Sequence, residues 1–264
     1  MIDGYYKTVT ANSLTPLGDP INTAVLYTIS LIGILGIHEL GHMIASKWHK
    51  LKTSWPYFIP GIPVFGIPTF GAIISVRSFM TNRDTLFDVG ISGPIAGLIV
   101  AIIVSTYGAY ISPMVPSEQA QSFFSKSDLV QVHPSIIMSG TIVLAGKTAE
   151  GMELIMSPVL YAAWLGFLLT FLNLLPAWQL DGGHVARATL GRKWHKITTY
   201  VGIAILFALG YWFMALFVLS FSMSSRDVRP LDDISPLSSK RKKLFIAVMA
   251  LAVLSAPHPF SMMH

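Results

Sequence analysis

The chain has 264 residues, of which 53% are hydrophobic and only 12% charged, about half the share usual in a soluble domain of roughly 25%. That composition excludes a disordered chain, and zero cysteines exclude a disulfide scaffold and every Cys-ligated zinc or iron–sulfur site. The net charge of +5 is not read as a nucleic-acid signal, because the basic residues flank apolar segments as orientation signals do.

Residues 1–19 form a polar segment without a basic start followed by an apolar run, so no cleaved signal peptide is expected. Charge-free stretches then recur. Pro20–His38 runs 19 residues, Val89–Ser117 29, Leu129–Gly146 18, Leu154–Leu180 27, Ile197–Ser225 29 and Leu244–His264 21. A helix needs about 20 mostly apolar residues to cross a bilayer. No soluble domain of this size encloses so many such helices. The chain reads as an all-α polytopic membrane protein with about five to six transmembrane helices, a re-entrant loop and a short β-hairpin. One integral membrane domain covers 1–264. The first span is 20–46, the loop and hairpin 53–80, the second span 89–111, a third 154–180, and C-terminal spans with a basic loop fill 197–264.

Lys47, Lys50, Lys52, Arg77 and Arg83 lie between the first two spans, and Arg187, Arg192, Lys193 and Lys196 follow the 154–180 span. The positive-inside rule puts 47–88 and 181–196 in the cytoplasm, and the N-terminus and 112–157 outside. Arg226, Arg229 and Lys240–Lys243 should also be cytoplasmic. That requires 197–225 to enter and return as a hairpin, turning near Gly210, or else to be one span that breaks the rule.

Between Pro56 and Gly71 stand four Pro and three Gly, a density no helix survives. Thr69–Val76 looks extended. Irregular apolar backbone at membrane depth must line a cavity or be covered by protein, hence the re-entrant loop. Asp84 and Asp88 are expected to cap the second span or pair with Arg83.

The first span contains His38-Glu39-Leu40-Gly41-His42. Two His four residues apart share a helix face, and the Glu beside them can address a water at their common point. This is the HExxH arrangement for zinc with a general base. A catalytic zinc wants a third protein ligand. The acidic candidates are Asp84, Asp88, Glu118, Glu150, Glu153 and Asp181. Asp181 stands out by position, because it follows a long apolar span interrupted by Pro176 and precedes Gly182-Gly183.

HELGH in one span with Asn173-Leu174-Leu175-Pro176 and Leu180-Asp181-Gly182-Gly183 in a later one resembles the site-2 protease family of intramembrane zinc metalloproteases. The 56–88 region, Gly90–Gly97, and the Arg229–Asp233 and Ser235–Leu237 stretches resemble its archaeal, cyanobacterial and plastid branch. No PDZ domain and no clear span before the HELGH helix are visible. The resemblance implies one Zn2+ per chain held by His38, His42 and Asp181, with Glu39 activating the water. It also implies Asn173 as a residue that helps to orient the substrate carbonyl or to stabilise the oxyanion; the plain alternative for Asn173 is a helix–helix hydrogen bond. His184 reads as an interfacial polar residue or a neighbour of the metal. Gly93 and Gly97 read as a packing motif only. The implied activity is cleavage of transmembrane segments of membrane-protein substrates, in a multi-pass protein of the cell membrane with its active site nearer the cytoplasm. Two rivals are weighed. One is a membrane zinc protease that takes Glu150 or Glu153 as third ligand. The other is a metal transporter or a non-catalytic metal-binding membrane protein.

Overall fold

A computed structural model describes residues 18–54, 57–60, 69–73, 80–124, 132–224 and 229–257. The chain is mostly helical. Its elements in order are α1 (Pro20–Trp48), β1 (Tyr57–Pro60), β2 (Thr69–Ile73), α2 (Arg83–Ile111), β3 (Met114–Pro116), α3 (Ser117–Phe124), α4 (Ile136–Leu144), β4 (Met152–Leu154), α5 (Pro158–Leu174), α6 (Asp181–Ala208), α7 (Trp212–Ser224) and α8 (Ser239–Ser255).

Local chemistry sets the ends of these helices. Asp19 caps α1 by accepting from the Asn22 N–H, and Pro20 occupies the first turn, where its missing N–H costs nothing. Asn82 caps α2 through the Thr85 N–H at 2.8 Å. Ser157 caps α5, which stops at Leu174 ahead of Pro176. Two helices, α1 and α2, are long and apolar enough to cross a membrane, while α5 and α7 are shorter apolar helices. Large apolar side chains stay exposed along them, Ile21, Ile29, Ile32 and Ile44 on α1 and Ile99, Ile103 and Tyr107 on α2 among them. An apolar outside on an apolar core is what a lipid solvent selects.

The core forms where α1, α2 and α5 pack together. Ile34 meets Leu98, Ala101, Leu160, Ala163 and Phe167 there. A second cluster joins α2, the start of α6 and α8 through Leu86, Phe87, Ile91, Val185, Ala188 and Val248.

The molecule has two polar ends. At one, the end of α1, the starts of α2, α6 and α8, and the 229–238 connection are tied by ion pairs. His49 meets Asp88, Arg83 and Arg187 meet Asp233, and Arg241 meets Asp84 and Asp88. At the other, β3 and β4 pair antiparallel, and Ser112, Gly108 and Ser157 hydrogen-bond around the end of α2. A helix of 29 residues such as α2 spans about 43 Å, so the ends are far apart. The expectation for Asp84 and Asp88 is corrected here. Asn82 is the cap, Arg83 pairs with Asp233, and both aspartates serve Arg241.

The 197–225 stretch is not one helix. Gly210 at φ 81 turns the chain between α6 and α7, a conformation that suits a residue without Cβ. The Trp178 backbone N–H donates to the Thr199 hydroxyl of α6, and its ring lies edge-on to Phe217 and tilted to Phe221 of α7, so α7 runs back alongside α6. β1 and β2 form an antiparallel ribbon, Tyr57 opposite Ile73 and Phe58 opposite Ala72, with a bulge before Pro60–Thr69. The extended reading of Thr69–Val76 thus holds for Thr69–Ile73. The rest of that reading, and most of the re-entrant loop, fall on 61–68 and 74–79, outside the described residues.

Candidate metal centre

Helix α1 carries His38 and His42 one turn apart, facing α2. The glycines of α2 make room for them. A Cβ on Gly93 would overlap the His42 ring, and one on Gly97 would stand 3.1 Å from the His38 Cβ. On α1 itself, Gly41 brings its backbone against Ser92 of α2. The G-x-x-x-G stripe, read from sequence as packing only, is therefore part of the site.

Helix α6 delivers the third group. Leu175–Leu180 forms an irregular turn after α5, and Asp181 opens α6 with Leu180 as its cap position. Asp181 Oδ2 lies 3.2 Å from His38 Nε2 and 3.3 Å from His42 Nε2, and the two Nε2 atoms are 3.2 Å apart. Among the described residues, this is the one group of three or more His, Cys, Asp or Glu side chains close enough to share an ion.

The triangle has the size of a metal site. Ligands about 2.0–2.1 Å from a tetrahedral zinc are separated by about 3.3 Å. The tautomer fits as well. His42 Nδ1 lies 2.8 Å from the Val89 carbonyl oxygen, which only accepts, so Nδ1 carries the proton. In the neutral ring Nε2 then keeps its lone pair, aimed at the point shared with Asp181. Such an outer hydrogen bond is the usual support of a metal-bound imidazole. Lone pairs converging on one point call for a cation, and two imidazoles with one carboxylate are donors that zinc accepts.

Glu39 adjoins His38 and is 9% exposed. Its carboxylate interacts electrostatically with His38, His42 and Asp181 yet makes no hydrogen bond among the described residues. Asn173 is half-buried on the last turn of α5, also without a side-chain hydrogen bond among the described residues. His184, next to the cluster on α6, interacts electrostatically with Asp181 and His42. Glu153 sits on β4 opposite Val115, at the far polar end, and the Glu150 turn is beside it. Neither joins the histidines.

The sequence profile of peptidase family M50 matches residues 26–209, which include all three clustered residues. The chain belongs to this family, that of the site-2 proteases. It is 29% identical over 235 residues to "Probable zinc metalloprotease EGY2, chloroplastic" of Arabidopsis thaliana, covering 86% of this chain and 41% of that protein. To "Probable zinc metalloprotease EGY1, chloroplastic" of the same plant it is 30% identical over 251 residues, 89% of this chain and 43% of the relative. A third relative, "Probable zinc metalloprotease EGY3, chloroplastic" of Oryza sativa subsp. indica, is 22% identical over 245 residues. The chain thus spans about two fifths of the length of these relatives. No solved structure matches it.

Proposed function

We propose that this chain is a zinc-dependent intramembrane endopeptidase that cleaves transmembrane segments of membrane-protein substrates. The observation that carries the reading is the convergence of His38, His42 and Asp181 on one point, with Glu39 beside it. The family assignment and the names of the relatives support it.

His38, His42 and Asp181 would hold one Zn2+. When bound, zinc supplies a Lewis acid that acidifies water and polarises a peptide carbonyl. Glu39 takes the proton of the attacking water and returns it to the leaving amine. Its freedom from other hydrogen bonds among the described residues suits that exchange. The Asn173 amide donates to the scissile carbonyl and to the oxyanion that it becomes. Its lack of a side-chain partner among the described residues favours this over a helix–helix hydrogen bond.

A substrate helix hides its carbonyls in i→i−4 bonds and must unwind to be cut. β2 offers a template. In a two-stranded ribbon its outer edge has no partner among the described residues, and an unwound strand can add there.

Six helical segments run between the polar ends: α1, α2, α5, the two arms of the α6–α7 hairpin, and α8. We read each as crossing or entering the bilayer. The hairpin returns Arg229 and the α8 lysines to the end that holds Lys47 and Arg187, so the basic residues gather on one side. That side is the cytoplasmic one by the positive-inside rule, and the site lies nearer to it.

The test uses proteoliposomes with a transmembrane substrate. Glu39→Gln should keep zinc and lose turnover by about 10²–10⁴-fold. Wild-type turnover in that variant would refute the assignment, and zinc flux without cleavage would favour a carrier.

A further inference from the structure

The connection between α7 and α8 is bound to the start of α2 by backbone hydrogen bonds. The Leu231 N–H donates to Met80 O at 2.8 Å and the Asp232 N–H to Thr81 O at 3.0 Å. That places Asp233 over two arginines. Arg187 of α6 donates to both carboxylate oxygens, at 3.0 and 2.7 Å. Arg83 of α2 donates through Nε to Oδ1 at 3.2 Å and through Nη2 to the Asp233 carbonyl at 2.6 Å. Arg187 is 1% exposed. A buried guanidinium is costly unless a carboxylate meets its fork, so this contact is held rather than sampled.

Arg187 shares a short rigid piece with Asp181. Helix α6 breaks at Gly191, with φ 79 and ψ 178, so Asp181–Leu190 is a segment of its own. Past this break, the remainder of α6 holds the turn before Asp181, with Thr199 Oγ1 and His195 Nε2 both at 2.9 Å from the Trp178 backbone. At the start of the segment Gly182 and Gly183 pack on the backbone of Leu174 and Trp178. Val185 and Ala188 lie among Leu86, Phe87 and Leu237. The glycines fix where the segment starts, while the apolar contacts of Val185 and Ala188 are non-directional and add little to setting its rotation farther along. The two-pronged bond at Arg187, about 9 Å along the axis from Asp181, fixes rotation and translation together.

We propose that Asp233 is a positioning residue for the metal centre. Through Arg187 it sets the rotation of Asp181–Leu190 and so holds the Asp181 carboxylate opposite the two imidazoles. This rests on the metal-binding reading above.

The probe is Co2+ added to metal-stripped full-length protein in detergent, with affinity read from its visible d–d absorption. Asp233→Asn should weaken cobalt binding about tenfold, in the range of outer supports of metal ligands. In an Asp181→Asn background the same change should cost less than about twofold, because the ligand it positions is gone. Asp233→Glu, which keeps the charge for both arginines, should recover part of the loss. Equal weakening in both backgrounds means general loosening and overturns the proposal, as does no weakening in either. Cobalt affinity that Asp181→Asn alone leaves unchanged refutes the metal centre itself. If Asp233→Asn does not purify folded, Arg187→Lys takes its place and is read the same way, since it keeps the charge and loses the fork.

Discussion

His42 donates from Nδ1 to the Val89 carbonyl at 2.8 Å and so presents a bare Nε2 to the Asp181 carboxylate. Its ring also rests where a Cβ on Gly93 would be. Gly93→Ala should therefore push the imidazole off its bond to Val89 and out of the triangle. The expected outcome is loss of bound zinc after dialysis against a mild chelator, with helix content kept. Zinc retention equal to wild type would contradict the account of α2 as a wall of the site. Asn173→Ala, by contrast, should leave zinc in place and lower kcat by about 10²–10³, the cost of losing one oxyanion donor; an unchanged kcat would return Asn173 to a packing role. The two histidines of the cluster were legible as a pair in the sequence, because HExxH places two donors on one helix face whatever surrounds them. The glycine wall was not. A small-residue stripe carries no sign of what fills the space it leaves, and only the α1–α2 register shows that it is filled by His42 and His38.

Among the elements, β2 bears on substrate handling. Ile73 pairs opposite Tyr57, and proline there removes a backbone donor from the ribbon. Ile73→Pro should slow cleavage of a helical substrate while zinc content is unchanged. Cleavage at the wild-type rate would remove β2 from the mechanism. The Pro- and Gly-rich stretch before it announced irregular backbone, and the β-branched run announced a strand, but nothing in the sequence named Tyr57–Pro60 as the partner. The α6–α7 hairpin was legible only as one of two possibilities. Charge placement asked for a return and hydropathy allowed a single span; the chain turns at Gly210, where φ is positive, so the stretch is two helices and not one. Asp84 and Asp88 show a different limit. Near Arg83 in sequence, they are claimed by Arg241, more than 150 residues away, at 2.6–2.7 Å. Local spacing cannot foresee a partner delivered by the fold.

At the scale of the molecule, the ion pairs at one polar end should respond to acid. The Arg187 fork holds the Asp233 carboxyl below the ordinary carboxylate range, with the charges of Arg187 and Arg83 adding to the effect. A carboxylate lowered on folding stabilises the fold above its unfolded value, about 3.9, and that contribution disappears as pH falls through the folded value. The gap in thermal midpoint between wild type and Asp233→Asn should therefore be widest near neutral pH and shrink below about pH 4. A gap that does not change with pH would mean that the charge of the Asp233 carboxylate contributes nothing to the fold. The two-ended architecture is tested by labelling, which the absence of cysteine makes clean. Single cysteines at Ile234, 95% exposed, and at exposed Glu150 should react with an impermeant reagent from opposite sides of a sealed membrane. Reaction from the same side would contradict the topology.

The most direct measurement is the zinc content of purified wild type and Asp181→Asn after identical dialysis against a chelator. Residue 181 lies 139 positions beyond His42, so its effect on zinc reports whether the two stretches meet at one ion. We expect about one zinc per chain in wild type and little or none in Asp181→Asn, as befits a site reduced to two of its three protein ligands. One zinc per chain retained equally by both proteins would contradict the account.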